Sequence, residues 1–300
     1  MRRTVAVTRP SLQNSSLQAD PCRVDGSCAN CLTSSSAVES DNGLLGCHGR
    51  HSLARKLYTF WMRDLKRLMN HRPRGNEPYV PTEVEHLANV TTHALSILPS
   101  FFGLKFLVQR AHTPTHYTAA LIYGAALVLL FVVSSLFHSI HFLGKLNTLP
   151  ASMCRALREI LHRCDRAAIY IFIASAYTPW LLLKEYSSWG QKQLYVVWLL
   201  CLLGIAYQNI FHEKYKTLEV LIYMASALVP ASATFSMRPA TGLKEIIYGG
   251  CLYFVGVLFF KLDGRLPFAH AIWHLFVNAA TMVHYQAVYR YLFNAVSHEH

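Results

Sequence analysis

The stretch FAHAIWHLF, Phe268 to Phe276, sets His270 and His274 four residues apart in an otherwise apolar run. On a helix this spacing puts both imidazoles on one face, one turn apart, with Asn278 and Thr281 extending the same stripe. Two imidazoles so placed can reach one metal ion. They can equally serve packing or an interface, because His-x3-His alone is a weak signal. SSLFHSIH places Ser134 and His138 at i and i+4, with His141 following. CDRAAIYIFIASAYTPW puts Asp165 at the head of an apolar run. There it could meet a metal through water and act as a base, or simply complement the N-terminal dipole of a helix. EHLANVTTH offers Glu85, Asn89 and His93 at i, i+4 and i+8, a second shell able to hold ligand tautomers and loops in place. For Asn89 an interhelical hydrogen bond is the simpler reading. Three imidazoles plus a carboxylate or water suit Zn²⁺, with the fourth position open in catalytic sites.

These groups need elements that bring them together. The 300 residues are 53% hydrophobic and 15% charged, with positive mean hydropathy, as expected of a polytopic membrane protein. Seven segments approach the ~20 apolar residues that cross a bilayer as a helix. They lie near 84–108, 116–143, 165–185, 191–211, 217–237, 242–262 and 267–293, with Pro99, Pro179 and Pro230 inside them or near their ends. The fold class is all-α, a seven-helix transmembrane domain over 84–293.

Of the net charge of +12, residues 1–75 supply much, with twelve bases against five acids. Such a tail points to anionic lipid headgroups at the cytosolic face, and no nucleic-acid motif accompanies it. Residues 1–50, rich in Ser, Asn, Asp and Gly, are expected to be a disordered tail. Over 51–75, Leu53, Leu57, Phe60, Trp61, Leu65 and Leu68 recur at helical spacing against arginine and lysine. That fits an amphipathic helix lying in the interface or docked on protein. The opening MRRTVAVTRPSLQNSS is a poor signal peptide, so the first span is expected to act as the signal. The eight cysteines form no compact disulfide framework. Cys28 and Cys31, with Cys47, His48 and His51, read as free or lipidated thiols before zinc ligands.

Lysine and arginine in the connections orient the bundle. With the N-terminus cytosolic, thirteen fall inside and six outside, which predicts N-in and C-out and leaves the Asn14 sequon unmodified. This topology sets the end of the second span and the starts of the third and seventh on one side. His138, Asp165, His270 and His274 then share a depth, one to two turns below the surface at ~1.5 Å per residue. His284 is ten residues beyond His274, ~15 Å along the helix, and cannot bind the same ion.

Together EHLANVTTH, SSLFHSIHF, CDRAAIYIFIASAYTPWLLL, FHEKYK and KLDGRLPFAHAIWHLFVNAATMVHY resemble the progestin and adipoQ receptor and hemolysin-III superfamily, closest to its monocyte-to-macrophage differentiation factor branch, over about 68–293. The resemblance implies seven helices with a cytosolic N-terminus and a zinc ion near the inner surface. It maps the family's Ser-x3-His onto Ser134 and His138, its acid onto Asp165, and its His-x3-His onto His270 and His274. His138, His270 and His274 would bind zinc, with Asp165 meeting it through water. Ceramidase-type lipid amide hydrolysis, proposed for some relatives, would make Asp165 and Ser134 catalytic, with ceramide or fatty acid in the bundle.

Three functions follow. The first is a receptor-like regulator of Golgi or late endosomal and lysosomal membranes, rather than the plasma membrane, with a signalling role and cytosolic protein partners. The second is a zinc-dependent lipid amide hydrolase, and the third an ion or proton channel or transporter.

Overall fold

The computed structural model describes residues 68–71, 79–146, 150–211 and 214–294. The expected disordered tail, its cysteines and Asn14 lie outside the described residues, as does the amphipathic helix except for a turn at its end.

Seven long helices and no strand occur among the described residues. They are α1 Glu83–Gln109, α2 Pro114–Lys145, α3 Ala151–Leu183, α4 Ser188–Ile210, α5 Lys216–Ala231, α6 Leu243–Lys261 and α7 Ala269–Val288. A 3-10 turn, Ser232–Ser236, extends α5, and a π turn, Tyr289–Phe293, extends α7. Six of them, α5 with its 3-10 turn included, are long and apolar enough to cross a membrane. The exception is α7, whose histidines and Asn278 lower its apolar content.

Helix starts follow from local chemistry. Thr82 caps α1 and forms a reciprocal box with Glu85, Thr113 caps α2 ahead of Pro114, and Ser187 caps α4. Six of the expected segments agree with the helices to within a few residues. The third does not: α3 begins at Ala151 rather than near residue 165. Residues 151–164 read as a connection because they are charged, yet MCRALREILHRC has no breaker, and Glu159 and Arg163 pair at i and i+4 over 3.0 Å. Hydropathy marks where lipid could lie, not where a helix ends. The extension is mostly exposed.

α3 is the hub. Its Phe172 and Trp180 join the core with Leu107, Tyr123, Leu127 and Val277, while its Tyr170 and Ala174 join a second core with Val197 and Tyr223. The packed pairs are α1–α2, α2–α3, α3–α4, α4–α5 and α6–α7 in sequence, then α1–α7, α3–α5 and α3–α7 across it. Neither α5–α6 nor α2–α7 is among them.

Small residues allow the closest approaches. A Cβ on Gly124 of α2 would stand 2.8 Å from Leu104 Cβ and 3.0 Å from its Cα in α1. Backbone cannot yield there as a side-chain tip would. Gly124→Ala is expected to cost about 1–3 kcal/mol by pushing the helices apart. Thermal unfolding in detergent reads this, with Gly250→Ala as control, since a Cβ there meets nothing within 4 Å.

Candidate metal centre

His138 leaves α2 while His270 and His274 leave the first turns of α7, and ligand atoms of all three lie within 4.8 Å of one another. Ring centroids are 5.2 Å apart for His138 and His270, 5.5 Å for His138 and His274, and 4.6 Å for His270 and His274. His138 is 2% exposed, and neither of its nitrogens has a hydrogen-bond partner. Two buried lone nitrogens are costly in a protein interior. Neutral imidazole donors converging on one point relieve one nitrogen of each ring by taking a metal ion, so the donor set fits one.

The tautomer of His274 can be derived. Thr92 Oγ1 lies 3.1 Å from His274 Nδ1, and also 2.9 Å from Ala88 O and 3.0 Å from Asn89 O. Its single proton goes to those carbonyls, so the hydroxyl oxygen accepts from His274 Nδ1–H. Nε2 is left for the metal. Asn278 Nδ2 donates to Thr92 O over 2.7 Å and ties α7 to the same turn of α1. His93 stacks on the other face of this arrangement, its ring centroid 3.6 Å from that of His274.

The remaining sequence candidates take different places. Asp165 lies well inside α3, not at its start, so the helix-dipole explanation of this carboxylate falls away. It is half-buried and faces a cavity, where the charges and dipoles of His270, Ser134 and Arg166 bear on it. Ser134, one turn before His138, lines the same cavity. Glu85 touches no imidazole of the cluster. It accepts from Tyr79 Oη at 2.7 Å, Thr82 N at 2.9 Å and Phe268 N at 3.2 Å, so it anchors the residue that starts α7. Phe268 takes a left-handed φ of 58°, unfavourable for a bulky residue, and this tie holds it there. The Tyr79 ring covers Gly264, where a Cβ would come within 2.8 Å. Burial and then the Glu85 carboxylate push the Tyr79 phenol up, which keeps it a donor. The Asn89 side chain, expected to bond between helices, has no hydrogen bond among the described residues. Its contribution comes through its backbone.

Sequence reasoning passed over four groups. Thr92 sits within EHLANVTTH but off the stripe that was followed. Asp263, in KLDGRLPFAH, brings Oδ2 to 3.5 Å from His270 Nδ1, too far for a hydrogen bond as placed but near enough for its charge to favour Nδ1–H and leave Nε2 for a metal. Asp263→Ala is expected to weaken metal affinity ~10- to 100-fold, read by titration against a competing chelator. His86 is buried, stacks on His141 at 4.3 Å and comes within 5.9 Å of His138. Arg166 pairs with Glu219 of α5 at 2.5 Å and donates to His162 Nε2 at 3.3 Å, with Tyr223 Oη 3.1 Å from Arg166 O and 3.2 Å from Glu219 Oε1. Glu219→Gln weakens this pair between α3 and α5. The expected cost is about 2–3 kcal/mol, the low side for a buried pair because Arg166 reaches the cavity. Chemical unfolding of the purified protein measures it.

The cavity encloses about 700 Å³ between α2, α3, α5, α6 and α7. His138's partners His270 and His274 stand at one end with Asp165 and Arg166, and Trp180, Tyr186 and Thr234 at the other. Its walls are largely aliphatic and aromatic, the lining expected for an apolar ligand.

The sequence model described as Haemolysin-III related matches residues 82–285. The human monocyte to macrophage differentiation factor is 41% identical over 230 residues, covering 77% of this chain and 94% of the relative. Hemolysin-3 of Bacillus cereus is 31% identical over 221 residues, 71% of this chain and 94% of the relative. An adiponectin receptor protein of Drosophila melanogaster is 23% identical over 227 residues, 67% of this chain and 49% of the relative.

Proposed function

Since the chain belongs to the haemolysin-III related family of the progestin and adipoQ receptor superfamily, and is thereby a multipass membrane protein, we propose that it is a receptor-like regulator whose zinc braces one end of the bundle. The observation that carries this reading is that His138 on α2 and His270 and His274 on α7 converge although the α2 and α7 backbones do not pack closely along their lengths. An ion held there would tie these two helices where their side chains meet. Zinc suits three neutral imidazoles better than Mg²⁺ or Ca²⁺, which take oxygen ligands. Stripping metal from purified protein with a chelator lowers the thermal midpoint, and zinc restores it. A midpoint that stays put while zinc leaves sinks the bracing role.

All seven helices span in this reading, with the N-terminus and the histidine end cytosolic. Glycan on Asn14 in cells would overturn that orientation. The compartment is Golgi or late endosomal and lysosomal membrane, and signal confined to the plasma membrane in tagged cells would refute it. Anionic headgroups meet the basic N-terminal region, and cytosolic signalling proteins the same face.

A second reading is favoured by the cavity that carries Asp165 and Ser134 to the imidazole cluster. Here the protein hydrolyses a lipid amide of the ceramide type. Zinc, when bound, supplies Lewis acidity and lowers the pKa of water. Asp165 takes up a proton from the attacking water and returns it to the amine nitrogen as the C–N bond breaks, Ser134 orients the polar head, and the apolar walls hold the chain and exclude bulk water. Fatty acid released from a ceramide panel by zinc-loaded protein supports it. Proton or ion flux in sealed vesicles would replace both readings with transport.

A further inference from the structure

His284 lies ten residues past His274, ~15 Å along α7 at the rise of an α-helix, and still faces the cavity. Its ring lies over Gly249 of α6, where a Cβ would come within 2.4 Å of Cδ2 and 2.5 Å of Nε2. Tyr253 stacks near the same ring, with centroids 5.6 Å apart and planes at 26°. Tyr253 spends its hydroxyl on Thr281, 2.9 Å away. Neither nitrogen of His284 hydrogen-bonds another described residue. Around it the cavity offers Ile246, Phe254 and Val277. An imidazole held among such groups carries a desolvation cost that a polar group of a ligand would remove.

We infer that His284 is a recognition point for a hydroxyl or oxo group carried on the chain of an acyl lipid whose head sits beside His270 and His274. The inference rests on the reading that the cavity holds a lipid. The spacing sets the position of the second group: ~15 Å of extended chain, at ~1.5 Å per C–C bond less the zigzag, is roughly twelve carbons. A hydroxyl both donates and accepts, so it serves either tautomer of the ring, whereas an oxo group needs an N–H. The close contact of the Cδ2–Nε2 edge with Gly249 restricts the turning of the ring and crowds Nε2, which makes Nδ1 the nitrogen better placed for a ligand.

The test is displacement of a fluorescent fatty acid from the purified protein by stearate, by stearate hydroxylated at carbon twelve and by stearate hydroxylated at carbon two. The carbon-twelve isomer is expected to bind ~3- to 10-fold more tightly than stearate, the worth of one hydrogen bond, and the carbon-two isomer to lack that gain. His284→Phe brings the carbon-twelve isomer down to the affinity of stearate. His284→Gln keeps a donor and an acceptor and retains part of the gain, which separates hydrogen bonding from packing over Gly249. Equal affinities in the unaltered protein, or a preference that survives His284→Phe, overturns the assignment while leaving a lipid in the cavity. Failure of all three fatty acids to displace the probe overturns the lipid cavity itself, and the role of His284 with it.

Discussion

Replacing both His270 and His274 by alanine is expected to abolish zinc binding. The two imidazoles supply two of three donors that lie within 4.8 Å of one another, and His138 alone keeps no chelate. Asp165 does not substitute for them, since zinc sites of this kind need three protein ligands. Elemental analysis of the purified variant is expected to read essentially no zinc where the unaltered protein carries it in stoichiometric amount; retained stoichiometric zinc would sink the site. Stability follows by linkage. A ligand bound only to the folded state contributes about 4 kcal/mol when free ligand is a thousand times its Kd. The double variant is therefore expected to unfold well below the unaltered protein in zinc, and to respond to neither zinc nor chelator.

Asp165→Asn separates the two readings of that metal. Asparagine keeps the shape of the carboxylate but cannot take up a proton, so it removes general-base capacity and leaves packing in place. If the protein cuts lipid amides, fatty acid release is expected to fall ~10²- to 10⁴-fold, the usual worth of a positioned base. Zinc content and the thermal midpoint stay close to those of the unaltered protein. Product analysis by mass spectrometry alongside metal analysis gives both numbers from one preparation. Equal release by the two proteins removes Asp165 from the chemistry, and no product from any zinc-loaded preparation leaves bracing as the role of the metal.

The parts of this protein legible in its sequence were those with a period. Apolar runs marked six of seven helices to within a few residues, and i, i+4 spacing set His270 beside His274 and Ser134 beside His138. Positive charge in the connections put the second, third and seventh segments at one level, which brought His138 to the pair. What stayed hidden depended on direction rather than spacing. Thr92 is one residue from His93, yet its hydroxyl, not the stripe through Glu85, fixes the proton of His274. Asp263 lies in a loop without periodicity, so nothing in KLDGRLPFAH says that its carboxylate turns toward His270. Glu85 holds the loop that leads into α7 rather than an imidazole, because a capping glutamate has its oxygens committed to backbone N–H groups. Arg166 and Glu219 are 53 residues apart, and only the packing of α5 on α3 joins them.

The tie from Glu85 to the backbone of Phe268 has a consequence in time. The two residues are joined by one hydrogen bond, but a ribosome adding ~5–20 residues per second makes the first roughly ten to forty seconds before the second. His138 and Asp165 are likewise synthesised before the helix that carries their partners. For that interval a nascent chain holds unpaired polar groups that the finished bundle encloses, and no metal-holding trio yet exists. Metal binding by this trio would thus be a late step of biogenesis, and a chain halted before residue 269 has one of its three histidines.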